Sequence, residues 1–359
     1  MTSKAFGLAQ LGDAYSDGAL SNRNKIINGA MVIDQRNAGA AVTPTSSTYT
    51  LDRWRLGASV ASKVSVQQST VAPVGFTNST LITSLSAYTM AGEEEINFGQ
   101  RIEGFNAADL GWGTANAKPV TFSFWVRSSL TGLFSGAIKS FDSLRSYVFS
   151  YNINAADTWE YKIITVAGDT TGTWKTDNGI GVIAQFCIGN ASKLNTAGVW
   201  YAANTVGATG TTQLVGTNGA TFYITGVQLE AGDTATPFEH RSYGDELLRC
   251  QRYYQEMGYT GQSFERFGSG FLPDAGTASY YVQYRVEKRA SPTVTVSDVN
   301  HFFVYTASGN KTATSYGATD ISRESVNLNF FVSGVTAGQG TLLIRDVSDP
   351  ARIYINAEL

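Results

Sequence analysis

A long series of short runs in which polar and apolar residues alternate limits this chain to a fold built from β-strands. Across residues 25–242 each run lasts a few residues and ends in Gly, Asn, Asp or Ser. In VTFSFWV, for example, Phe122, Phe124 and Val126 share one face of an extended chain. A period of two residues is typical of strands, and no sustained helical period interrupts it. We therefore predict an all-β fold, with an antiparallel jelly-roll sandwich over this region.

The pattern changes to a helical period in YGDELLRCQRYYQEM, where Leu247, Cys250 and Tyr254 recur at intervals of three and four residues. A serine just before this stretch and an aspartate three residues later match a capping box. We predict a short linker helix over residues 243–258. Because a helix of about three turns is barely stable alone, Leu247, Cys250 and Tyr254 are expected at a subunit or domain interface. A helix that caps the bottom of one sandwich is the alternative.

The two ends of the chain differ from the sandwich region. Residues 1–24 are small and polar, which predicts an N-terminal attachment arm rather than a domain. Residues 259–359 hold further strand patterns such as SYYVQYRV, PTVTVS and HFFVYT, separated by Gly, Asn, Asp and Pro. This length and pattern predict one small C-terminal β domain.

Charge and residue content exclude several classes of function. The formal net charge is −3 and no run of Lys or Arg occurs, so we expect no nucleic-acid binding. No apolar stretch is long enough to span a membrane and no signal-peptide pattern begins the chain, so we expect synthesis in a cytoplasm without membrane insertion. The two cysteines and two histidines leave little material for a disulfide or a zinc site. We predict no cofactor, while the turns DTTGTW and KTDNGIG leave structural Ca²⁺ open as an alternative.

An ordered set of motifs resembles the pattern of a known family. NKIINGAMVIDQR, TYTLDRW, FSFWVRSS, TGVQLEAGDTATPFEHRS and ELLRCQRYYQ follow one another in this order. This set resembles tail-fibre and other appendage proteins of tailed bacteriophages and prophages. The segments KRASPTVTVS and GVTAGQGTLLI and the ending INAEL are similar to the terminal domain that often follows it. The resemblance covers residues 20–359.

The resemblance implies a jelly-roll module like a carbohydrate-binding domain, assembled as a homotrimer and displayed on the virion after synthesis in the host cytoplasm. It transfers no catalytic or sugar-binding residues, because the family has no agreed set. Long tail fibres carry shafts of coiled coil or triple β-helix, and no such repeat occurs in this sequence. The resemblance is therefore to a short tail fibre, a fibre tip or a head fibre.

Two tryptophans are the predicted ligand-binding residues. Sugar C–H faces stack on aromatic rings, and Trp112 in LGWGT and Trp174 in TGTWKTDN lie in glycine-bounded, loop-like segments. The alternative for each is an anchor in the core or at a subunit interface.

These observations predict a non-enzymatic structural protein of the virion, which adsorbs to the host surface by binding glycan. Residues 1–24 would attach it to other virion proteins. One alternative is a polysaccharide depolymerase, which needs two convergent carboxylates. Glu93, Glu94 and Glu95 do not meet this need, because consecutive residues of a strand point to opposite faces. The other alternative is a purely structural head-decoration or connector protein.

Overall fold

The computed structural model describes residues 22–258, 265–345 and 351–359 of the 359-residue chain. The predicted attachment arm lies outside the described residues, apart from residues 22–24. The chain divides into two compact units: the first extends to Glu246 and also contains Leu359, and the second comprises Leu247–Glu358. No helix in the described ranges is long and apolar enough to cross a membrane.

Strands make up most of the regular secondary structure of the first unit. In chain order they are β1 (Thr48–Leu51), β2 (Trp54–Ala58), β3 (Val64–Ser69), β4 (Ser79–Ser84), β5 (Glu95–Glu103), β6 (Val120–Ser128), β7 (Gly132–Lys139), β8 (Arg145–Ile153), β9 (Glu160–Val166), β10 (Ile180–Asn190), β11 (Leu194–Asn195), β12 (Trp200–Ala202), β13 (Gly207–Ala208) and β14 (Thr221–Ala231). Single 3-10 turns lie at Gly104–Asn106, Ala108–Leu110 and Leu214–Gly216.

Twelve of these strands form a two-sheet sandwich, and β11 and β13 pair with each other as a separate parallel two-stranded sheet. One sheet has seven strands in the order β1-β2-β5-β10-β7-β8-β12, and the other has five in the order β3-β4-β14-β6-β9. Neighbouring strands are antiparallel throughout both sheets. Consecutive strands repeatedly change sheet, as from β6 to β7 and from β8 to β9, which is the winding of a jelly roll. The prediction of an all-β fold with an antiparallel jelly-roll sandwich is confirmed.

The core lies between the two sheets and follows the alternation of the sequence. Phe122, Phe124 and Val126 of β6 are each 0% exposed. The ring of Phe186 from the opposite sheet lies 5.5 Å from Phe122 and 4.9 Å from Phe124, measured between centroids. Because the apolar face of each sheet is buried in this way, the other face of each is free to carry function.

The second unit contains the remaining strands. They are β15 (Tyr254–Met257), β16 (Arg266–Phe271), β17 (Thr277–Gln283), β18 (Thr293–Val296), β19 (Phe302–Thr306), β20 (Gly309–Thr312), β21 (Ser315–Thr319), β22 (Ser325–Phe331), β23 (Gly340–Arg345) and β24 (Ile353–Asn356). A 3-10 turn lies at Val299–His301. Three strands pair as β15-β24-β18, and seven pair as β20-β19-β23-β16-β17-β22-β21. Tyr280, Phe302 and Phe330 are 0% exposed in its core.

The helix α1 spans Tyr243–Gln251 and begins after Ser242, whose side chain caps it. The backbone N–H of Asp245 donates to Ser242 Oγ over 3.2 Å, and that hydroxyl donates to Asp245 Oδ2 over 2.7 Å. The first of these bonds satisfies a backbone donor that the first helical turn leaves free, and the second joins the two side chains.

The helix is shorter than the sequence period predicts. We expected it to continue to residue 258, and that part of the prediction is wrong, because β15 begins at Tyr254 and pairs with β24. The backbone groups of β15 are satisfied across the sheet by a strand about a hundred residues further along the chain, which no local period can signal. Tyr254 therefore does not share a helical stripe with Leu247 and Cys250.

Candidate functional site

The outer face of the seven-stranded sheet carries a cleft of about 250 Å³. We call it the polar cleft. It is lined by Ser47, Arg55, Gly57, Glu95, Asn97, Gly99, Gln100, Arg101, Lys139, Ser140, Phe141, Leu144, Ile183, Gln185 and Asn204.

Strand alternation places these polar side chains on one face. On β5, Ile96 and Phe98 are 0% exposed and belong to the core, so Asn97 points to the other side of the sheet. On β10 the same alternation directs Phe186 to the core and Gln185 to the cleft. Each strand thus contributes a polar residue between two buried apolar ones.

The register of four strands brings these side chains together. Gly99 of β5 lies opposite both Arg55 of β2 and Gln185 of β10. In the next row, Ile183 of β10 lies opposite both Arg101 of β5 and Lys139 of β7. The cleft therefore depends on residues from four separate parts of the sequence.

Glycines keep the floor of the cleft low. A Cβ atom at Gly57 would lie 2.5 Å from Asn97 Oδ1, and one at Gly99 would lie 2.3 Å from the carbonyl oxygen of Ala184. A side chain at Gly57 would therefore displace the Asn97 carboxamide. Because glycine has no side chain, the carboxamide has room in the cleft.

Gln185 is the most informative side chain in the cleft. It is 3% exposed, and its Nε2 finds no hydrogen-bond partner among the described residues. A buried donor without a partner costs roughly 1–3 kcal/mol, so such groups are rare unless water or a ligand satisfies them. The Gln185 amide thus has an unused donor at the floor of the cleft.

Positive charge dominates the polar cleft. Lys139 is 9% exposed, its Nζ donates to the neutral Asn204 Oδ1 over 2.7 Å, and burial lowers its pKa to about 8. Burial, together with the nearby charge of Arg101, also lowers the pKa of Arg55. The carboxylate of Glu95 forms an ion pair of 3.0 Å with Lys193. Among the residues that line the cleft, three are cations and Glu95 is the one anion.

An apolar lip borders this charged floor. Phe141 is 53% exposed and Leu144 is 56% exposed. The guanidinium carbon of Arg101 lies 5.7 Å from the centroid of the Phe141 ring. Arg101 Nη1 also donates to the backbone oxygen of Leu359, 2.6 Å away and within the same unit. A flat ring beside convergent polar groups is typical of sites that bind small polar molecules.

The structure brings Trp112 and Trp174 together, but outside the polar cleft. Their ring centroids are 4.6 Å apart, and Trp200 lies 5.5 Å from the first and 5.7 Å from the second. Trp112 is 7% exposed and donates its indole N–H to the carbonyl of Lys118, as a core anchor would. Trp174 is half-buried and donates to Asp169 Oδ2 over 3.2 Å. Glycan contact by these two residues stays a prediction, and Trp174 is the more accessible.

The three predicted interface residues differ in burial. Cys250 is 1% exposed, Tyr254 is 6% exposed and Leu247 is half-buried. Their role at an interface stays a prediction. In the described residues no group of three or more His, Cys, Asp or Glu side chains could hold a metal ion.

A second cleft, of about 420 Å³, lies at the outer side of the five-stranded sheet. We call it the aromatic cleft. It is lined by Val74, Gly75, Phe76, Trp125, Tyr161, Ile163, Ala235, Thr236, Pro237, Phe238 and His240. The rings of Trp125 and Tyr161 lie 5.3 Å apart between centroids. It offers stacking surface without the cations of the polar cleft.

Comparison with known proteins finds remote structural similarity only. No family model and no curated protein matches the chain. Among solved structures, the enzymatically active domain of bacteriophage CBA120 tailspike protein 4 matches with 14% identity and a TM-score of 0.35, over 60% of this chain and 22% of that one. A putative sugar binding protein from Bacteroides thetaiotaomicron VPI-5482 matches with 12% identity and a TM-score of 0.35, over 58% of this chain and 100% of that one.

A third structure, TmCBM61 in complex with beta-1,4-galactotriose, matches with 10% identity and a TM-score of 0.31, over 58% of this chain and 99% of that one. Likeness at this level carries no inference about ligand or activity.

Proposed function

We propose that this protein is a structural appendage of a bacteriophage particle that binds glycan on the host surface through the polar cleft. The observation that carries the binding role is the Gln185 amide, buried at the cleft floor with an unpaired Nε2. Carboxamides both donate and accept hydrogen bonds, as sugar hydroxyls do, and Asn97 and Asn204 line the same cleft. The exposed ring of Phe141 supplies a surface on which the C–H face of a sugar can stack.

The virion role rests on the ordered motifs that resemble phage appendage proteins. We propose that the chain assembles as a homotrimer and that residues 1–24 attach it to other virion proteins. A charged fraction of only 15% supports the assembly, because charged residues are depleted where copies bury one another. Cryo-EM of whole particles carrying a label on this chain tests the location; a particle without the label on any appendage would contradict it.

The proposal assigns no catalytic step to the polar cleft. Cleavage of a glycosidic bond uses two carboxylates on either side of the bond. Glu95 is the sole carboxylate among the residues that line the cleft, and it is paired with Lys193.

The binding role is tested by Gln185→Leu. Removal of the amide takes away a hydrogen bond to the ligand, so we expect glycan affinity to fall about tenfold in affinity electrophoresis against host surface polysaccharide. The melting temperature should not fall, because the amide nitrogen has no partner to lose within the described residues.

Tyr161→Ala in the aromatic cleft is the matched control and should bind glycan as the parent protein does. Loss of binding in Tyr161→Ala with full binding in Gln185→Leu would move the site to the aromatic cleft. Absence of binding by the parent protein to any host polysaccharide would contradict the proposed function.

A further inference from the structure

We propose that the polar cleft selects acidic saccharides, with the anionic group of one sugar attracted by the cations Arg55, Arg101 and Lys139. This inference rests on the proposed function and names the class of glycan. The evidence for it is the spacing of the cleft residues, their charges and the interactions that the charged side chains make.

The spacing fits a sugar residue. Arg55 and Gln185 lie in one row of the sheet, separated by Gly99, which has no side chain. Arg101 and Lys139 lie in the neighbouring row, separated by Ile183. Strands two apart in a sheet are about 10 Å apart, so the glycine leaves a gap about as wide as one sugar ring between the guanidinium and the amide.

The carboxylate of Glu95 attracts Arg55 and Lys139 from a distance. No ion pair joins Arg55 or Lys139 to a carboxylate within the described ranges, and the hydrogen-bond partner of Lys139 is the neutral Asn204. Glu95 is engaged by Lys193 over 3.0 Å. Burial of a cation without a counter-ion is costly, and an anionic ligand would offset that cost.

Two further observations support an anionic ligand in the polar cleft. Burial lowers the pKa values of both Lys139 and Arg55, the nearby Arg101 lowers both further, and the attraction of Glu95 does not offset these effects. A guanidinium binds the two oxygens of a carboxylate in a parallel pair of hydrogen bonds. The carboxamides of Asn97 and Gln185 then remain for sugar hydroxyls, which a bare anion would not use.

The test compares acidic polysaccharides with their neutral counterparts. Polygalacturonate, alginate and hyaluronan are each measured against the full chain by isothermal titration calorimetry, before and after reduction of their carboxylates to alcohols. We expect at least one native acidic polymer to bind about tenfold or more tightly than its reduced form. Arg55→Gln and Lys139→Gln should each remove most of that preference. A phosphorylated mannan and inorganic phosphate are included to distinguish a sugar phosphate or a free ion from a carboxylate.

The matched control is Arg127→Gln, which makes the same change in net charge on β6 of the five-stranded sheet. It should leave the preference unchanged. Equal binding of native and reduced polymers would overturn this inference and leave the proposed function standing. Failure of every acidic polymer to bind would overturn this inference, and failure of host surface polysaccharide to bind as well would overturn the proposed function. Binding of inorganic phosphate as tight as that of the polymers, unaffected by Gln185→Leu, would reduce the cleft to an anion site and overturn the saccharide part.

Discussion

Gln185 and Lys139 are polar residues on the outer face of a sheet, yet they are 3% and 9% exposed. Outward residues of an antiparallel sheet usually face water and satisfy their polar groups there. Here an amide and an ammonium line a cleft and are largely covered by their neighbours. The amide nitrogen has no hydrogen-bond partner within the described residues, and the ammonium has a neutral one. At the scale of single residues, the polar cleft combines this unmet bonding capacity with three cations on one face of a sheet.

Binding of an acidic glycan should weaken as pH rises from 7 to 9. Lys139 has a pKa of about 8 in the free protein, so it loses its proton in this range and with it the attraction for an anion. The affinity should fall by up to about tenfold per pH unit above that value. Calorimetric titrations at several pH values measure the slope.

Lys139→Arg is the control for this prediction, because arginine stays protonated throughout the range. Its affinity should be nearly constant between pH 7 and 9. An equal slope in the parent protein and in Lys139→Arg would show that another group is responsible.

At the scale of elements, the junction of α1 and β15 depends on one buried lysine of the second unit. Lys288 is 0% exposed, and its Nζ donates to the carbonyl of Gln251, the last residue of α1, over 2.5 Å. It also donates to Gln255 Oε1 of β15 over 2.8 Å. A lysine side chain near a helix C-terminus can donate to carbonyls that the last helical turn leaves free. It thereby joins the end of the helix to the strand that follows.

This lysine should make stability depend on pH. Burial lowers the pKa of Lys288 from 10.5 to about 7, so between these values the unfolded chain binds a proton that the folded chain gives up. The free energy of unfolding should therefore fall as pH falls from 10.5 to 7, by at most about 1.4 kcal/mol per pH unit, and this contribution should be constant below 7.

Lys288→Met removes the titrating group and should remove this slope. Thermal unfolding of both proteins at several pH values measures the difference in stability between them. The stability of the parent protein relative to the variant should rise with pH across the window. A difference that does not change with pH would contradict the assignment.

At the scale of the whole molecule, the two units each have their own core, and the boundary between them falls inside α1, between Glu246 and Leu247. A half-buried leucine at this boundary has apolar surface left for further contact. This position agrees with the expectation that Leu247 contributes to assembly, which stays a prediction.

Leu247→Asp should weaken assembly more than it unfolds the first unit, because a carboxylate is costly to bury between copies. Light scattering after size exclusion should give about three times the 38.5 kDa of one chain for the parent protein and a smaller mass for the variant. Leu248→Asp is the control, since Leu248 is 47% exposed on the same helix. A single-chain mass for the parent protein would contradict the trimer, and an unfolded variant would favour a purely internal role for Leu247.

Much of the fold could be predicted because the two-residue period of the sequence indicates which side chains are buried. Phe122, Phe124 and Val126 were expected on one face, and all are 0% exposed. The polar cleft was missed, although EINFGQRIE contains its signal: Asn97 and Arg101 alternate with core residues and flank a glycine. Such a pattern also fits an ordinary solvated face, so without the neighbouring strands it does not indicate a site.

The sequence by itself determined the all-β class, the jelly-roll type and the start of α1, because alternation and capping depend on residues a few positions apart. Only the tertiary structure decided the end of the helix at Gln251 and the meeting of Arg55, Lys139 and Gln185. Both outcomes depend on pairing between strands that are distant in sequence. The two-residue period of a strand determines which face of the sheet a side chain lies on. Hydrogen bonds between strands determine which side chains lie next to it.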